Sequence, residues 1–90
     1  MMDAKTKKVV MDNHFCLGLK MLVDYMRTDN SEMVGYKRDK IIGGIELAEK
    51  LKLINGTRAT EIRRLAGVIA HNSTPDMADN LIDRIDRLFP

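Results

Sequence analysis

The 90-residue chain carries 15 Lys/Arg against 13 Asp/Glu, a formal net charge of +2, and 44% of its residues are hydrophobic. That length allows one domain, residues 1–90, with a modest core, and the apolar share belongs to chains that fold rather than stay disordered. A net charge of +2 is too small to mark a nucleic-acid binder by itself, the single Cys16 excludes an intramolecular disulfide, and no apolar run approaches the ~18 residues of a membrane span.

With two Phe, two Tyr and no Trp, the core must come from Ile, Leu, Val and Met. The seven methionines either fill irregular gaps in that core or coat an adaptable binding surface. Lys5, Lys7 and Lys8 lead only to Val9-Val10-Met11, which lacks the length of a secretory core, so a cytoplasmic protein is expected.

The first helix is expected over Asp12 to Arg27. Phe15, Leu19, Leu22, Val23 and Met26 recur at helical spacing, and Leu17, Met21 and Tyr25 add a second stripe. An apolar surface this broad belongs to a central helix or to one that also meets a partner. Leu17, Met21 and Tyr25 are therefore the candidate protein interface. The preceding segment, Lys7 to Met11, fits either an extension of this helix or a short β-strand.

Ser31 and Glu32 offer the start of a second helix, and Asn55-Gly56 ends the run. Its stripe is Ile41, Ile45, Ala48 and Leu51, flanked by Ile42 and Leu47. Gly43-Gly44 falls in the middle, and each glycine costs ~1 kcal/mol relative to alanine. The stripe resumes in phase after the pair, which favours a continuous or kinked helix over a break. Gly44 on the apolar face would let a neighbouring helix approach closely.

The third helix opens with Thr57 as its expected cap and buries Ile62, Leu65, Ala66 and Ile69, with Val68 widening the stripe. His71-Asn72 closes it. The fourth has a start signal in Thr74-Pro75-Asp76 and an apolar stripe of Ala78, Leu81, Ile82, Ile85 and Phe89, with Leu88 beside it. Asp79, Asp83, Arg84, Asp86 and Arg87 occupy the other side, where Asp83 and Arg87 form an i,i+4 pair worth roughly 0.3 kcal/mol. The whole reads as a small all-α, four-helix orthogonal or bundle-like domain in which helices two and three form a hairpin.

No catalytic, cofactor-binding or metal-ligating set stands out. His14 and Cys16 are two positions apart and point about 200° apart on a helix. Gly43-Gly44 precedes Ile45-Glu46, without the Lys-Ser/Thr pair or the preceding strand that a phosphate loop requires. The chain is expected to be no enzyme and to carry no cofactor. A helix-turn-helix reading is open, with Arg58, Thr60, Arg63 and Arg64 on a recognition helix, Lys5, Lys7 and Lys8 as a basic arm, and Lys37, Arg38 and Lys40 on phosphates. Against it, Lys52 to Gly56 makes a longer turn than that motif uses, and Arg58 stands where an apolar packing residue is needed. An ordinary hairpin with charged outer faces is favoured.

The stretch Tyr36 to Ala70 contains Ile42-Gly43-Gly44-Ile45-Glu46-Leu47-Ala48-Glu49-Lys50-Leu51-Lys52-Leu53-Ile54, then Glu61, Leu65 and Ala66. It resembles the helical hairpins of small accessory proteins from temperate bacteriophages, with Lys52 where those carry Gly. The resemblance implies a mobile-element origin and a role in modulating a host machine. Two functions are thus expected in order: an interaction protein docking on a larger host protein through the first helix, whose surface could equally be the seam of a homodimer, and, as the alternative, a DNA-binding transcriptional regulator.

Overall fold

The structure, a computed structural model, describes residues 3–90. It is all-α, with four helices: α1 (Ala4–Arg27), α2 (Ser31–Lys50), α3 (Gly56–His71) and α4 (Ala78–Leu88), the last entered through a single 3-10 turn, Pro75–Met77. No strand occurs among the described residues. The segment Lys7 to Met11 extends α1 rather than forming a strand. Its start lies further upstream, at Asp3, whose carboxylate accepts the Thr6 N–H at 2.7 Å. That bond favours the charged carboxylate and holds the Asp3 pKa below its ordinary value.

α1 is the axis of the fold. It packs against α2, α3 and α4, while α2 also packs against α3. Among the described residues, sixteen buried apolar residues form one core, and all five residues of the first α1 stripe are in it. Ile41, Ile45 and Ala48 come from α2, Ile62, Leu65, Ala66 and Ile69 from α3, and Ala78, Leu81 and Ile85 from α4. Ala59 joins them. Leu51, in phase with the α2 stripe, is instead 59% exposed. Leu51 is the C-cap, its N–H still bonded to the Leu47 carbonyl, and the chain turns away at the next residue.

That turn has a definite geometry. Lys52 is left-handed, with φ of 59°, its N–H donating to the Glu49 carbonyl, while the Leu53 N–H reaches back to Ala48. α1 ends the same way. Asp29 has φ of 57° and donates to Met26, and Asn30 donates to Tyr25. Both are Schellman motifs, which satisfy the last carbonyls of a helix and ordinarily place glycine at the left-handed position. α2 runs unbroken through Gly43-Gly44. A Cβ on Gly44 would lie 3.6 Å from Phe15 Cε1, an ordinary contact, and one on Gly43 would touch nothing. The caps of α2 and α3 are asparagines. Asn30 accepts from the Met33 N–H at 3.2 Å and Asn55 from Arg58 at 2.8 Å. Asn55, rather than Thr57, starts α3, because its amide oxygen reaches the helix from an extended residue two positions earlier.

Candidate interaction face

Among the described residues, six large apolar side chains stand exposed: Val9, Val10, Leu17, Tyr36, Leu47 and Leu51. Every one lies on α1, on α2 or at the cap of α2. The short 28–30 connection makes those helices antiparallel neighbours, so Val10 and Leu17 face Tyr36, Leu47 and Leu51 across a groove, while Val9 lies outside it. At one end His14, Leu17, Met21, Tyr36, Lys37 and Lys40 line a hollow of about 410 Å³ over Phe15, Gly18 and Ile41. At the other, Val10, Met11, His14, Leu47, Leu51 and Leu53 line one of about 220 Å³ over Phe15, Gly44 and Ala48. His14 and Phe15 belong to both, their rings packed edge to face with centroids 5.2 Å apart.

Among the described residues, no carboxylate lines either hollow. Lys37 and Lys40 supply the lysine charges, and Lys40 Nζ sits 5.3 Å from the centroid of the Tyr36 ring. The groove is thus apolar at the Leu47 end and mixed apolar and cationic at the Tyr36 end. Such an exposed apolar tract, rimmed by polar groups, is the physical character of a protein-binding surface.

Of the three residues proposed from sequence, Leu17 is 62% exposed and Met21 lines the larger hollow. Tyr25 is half-buried and lines neither. The α2 wall escaped the sequence reading. Tyr36 and Leu47 lie about three turns apart on one face, a signal present in the sequence but readable as a site only once α1 and α2 are known to be neighbours.

Of the candidate nucleic-acid contacts, Lys8 and Arg58 meet around Asp12 in one cleft, and Lys37 and Lys40 share the groove. Lys5, Lys7 and Lys8 lie in the first turns of α1, where Lys8 pairs with Asp12 at 2.6 Å. Lys37 and Lys40 belong to the groove. Arg38 holds Asp39 at 2.8 Å and reaches His71 Nε2 through Nη1 at 2.6 Å. On α3, Arg63 pairs with Glu49 at 3.1 Å, and the Thr60 hydroxyl donates to the Gly56 carbonyl of its own helix. Arg58 is the most engaged. Its side chain is only 21% exposed, Nη1 donates to the Leu88 carbonyl at 2.8 Å, Nη2 lies 3.5 Å from Asp12, and the guanidinium stacks over Phe89 at 4.8 Å. The residue that broke the expected packing pattern thus ties α3 to α1 and to the end of α4. Arg64 stays exposed at the surface.

The expected Asp83–Arg87 ion pair is replaced by a long bond, 3.4 Å, from Arg87 Nε to the Asp83 backbone carbonyl. α4 is instead tied to α1 by Lys20–Asp86 at 2.7 Å and Arg27–Asp79 at 3.4 Å. The Asp86 bond pushes the Lys20 pKa above its ordinary value. Among the described residues, no helix is long and apolar enough to cross a membrane.

No protein-family model, curated protein or solved structure matches the chain.

Proposed function

We propose that this protein is a small, non-enzymatic interaction module that binds and modulates a larger protein through the groove between α1 and α2. The observation that carries this is the distribution of exposed apolar side chains, all six of which fall on those two helices or the α2 cap. The resemblance of residues 36–70 to phage accessory proteins supports the same reading and makes a host protein the proposed target. Lys37 and Lys40, with no carboxylate beside them in the groove, favour a partner that brings apolar anchors flanked by acidic groups. A second copy would bring cations to a face that has no acid to receive them.

The test is affinity capture from a host lysate with the wild type and with Met21→Asp/Leu47→Asp, alongside sedimentation velocity of both. A protein retained by the wild type and lost from the double variant, with the wild type monomeric, supports the reading. Identical captured sets would overturn the assignment of this face. A wild-type dimer dissolved by the same changes would replace the host partner with a second copy.

A further inference from the structure

We propose that the cleft between α3 and α4 binds phosphate groups through Arg64, Arg84 and Arg87. The chain has seven arginines. Arg27, Arg38, Arg58 and Arg63 each have a carboxylate within 4.0 Å. Among the described residues, Arg64, Arg84 and Arg87 have none, and all three line the same cleft of about 370 Å³.

The cleft follows from the fold. α3 and α4 both pack on α1 but make at most marginal backbone contact with each other, so a gap opens between them at the surface. Glu61, Arg64 and Leu65 form one wall, and Arg84, Arg87 and Leu88 the other. Glu61 is the lone carboxylate of the lining and lies 4.0 Å from Arg58, so three guanidiniums against one carboxylate leave the cleft with a formal charge of +2. Asp83, one turn before Arg87, does not pair with it.

Like charges gathered on adjoining helix faces repel, and a multivalent anion between them removes that repulsion. The planar guanidinium fork matches phosphate bidentately. Three forks on two walls exceed the two oxygens of a carboxylate and suit the three or more acceptors of a phosphate group. The same chemistry is offered by a small phosphate ester and by a nucleic-acid backbone. The site uses no residue of the α1–α2 groove, so it stands or falls independently of the proposed partner surface.

The test compares thermal unfolding of the wild type, of Arg64→Gln/Arg84→Gln/Arg87→Gln, and of Lys50→Gln/Lys52→Gln as a charge control, in pyrophosphate and in chloride of equal ionic strength. Gln keeps helix propensity and relieves repulsion, so the triple variant should melt no lower than the wild type in chloride. Near 100 times Kd, pyrophosphate should raise the wild-type and control Tm by roughly 10 °C and leave the triple variant unmoved. Arg84→Gln alone should show a reduced shift, which keeps the test valid if the triple variant folds poorly. A second arm follows binding of a labelled 16-base-pair duplex as salt is raised. If the backbone is the source, the triple change should flatten the salt dependence by up to ~3 in the log–log slope. A response to pyrophosphate alone identifies a small phosphate ligand. The proposal is overturned if neither probe acts on the wild type, or if the arginine variants respond as the wild type does.

Discussion

The α1–α2 side and the α3–α4 side of this molecule use their apolar residues differently. On α3 and α4 the large apolar side chains are buried or packed against the core, and the outer faces are charged. On α1 and α2 the core stripe is equally complete, yet five further large apolar residues stand in solvent, with Leu51 at the cap making a sixth. The fold therefore needs what α3 and α4 bury, and does not need what α1 and α2 expose. Apolar content in excess of the core requirement, confined to one pair of adjacent helices, is the feature on which the proposed binding surface rests.

Truncating the buried side should have the largest effect. Ile62 is fully buried on α3, and Ile62→Ala should lower unfolding free energy by about 3–4 kcal/mol in urea titration, because transfer and cavity terms add. Arg58 comes next. Arg58→Ala removes a bond to the Leu88 carbonyl, a partly screened contact with Asp12 and the Phe89 stack, and should destabilise by about 2 kcal/mol, with α4 amides losing protection first in hydrogen exchange. Lys52→Gly reverses the sign. A left-handed lysine is strained by about 1 kcal/mol, and glycine at that position should raise the urea midpoint accordingly.

The smallest effect is a pH dependence. Lys20 has its folded pKa raised by Asp86, so its stabilisation is present below the unfolded value near 10.5 and lost as pH rises through the folded one. Asp3 has its folded pKa lowered by the Thr6 amide, so its contribution is present above the unfolded value near 3.8 and lost as pH falls through the folded one. NMR titration of the Lys20 side chain should return to the ordinary lysine range in Asp86→Asn.

The helical periodicity of the sequence made the core legible, because burial on a helix repeats every 3–4 residues and Phe15, Ile45, Ile62 and Ile85 all obey it. What escaped depended on contacts between distant segments or on single backbone angles. Leu51 is in phase with its stripe, yet as the C-cap at the end of the helix it stands 59% exposed. Arg58 looked like a packing defect because its partners, Asp12, Leu88 and Phe89, lie at the far ends of the chain. The start of α1 is hidden in the sequence because the Asp3 cap precedes a lysine-rich turn with little apolar signal. For the groove, Leu17 and Met21 were readable from the surplus stripe of α1, whereas Tyr36 and Leu47 gained meaning only from the antiparallel packing of α2.

The most direct test of the division between the two sides is equilibrium urea unfolding of Leu17→Gln/Leu47→Gln. Glutamine preserves helix propensity and adds no charge, and the two leucines are 62% and 57% exposed. If these residues serve binding rather than folding, the double variant should unfold within about 0.5 kcal/mol of the wild type with an unchanged slope. A loss of 2 kcal/mol or more would show that the exposed stripe holds the fold together, and the α1–α2 groove would cease to be a candidate site.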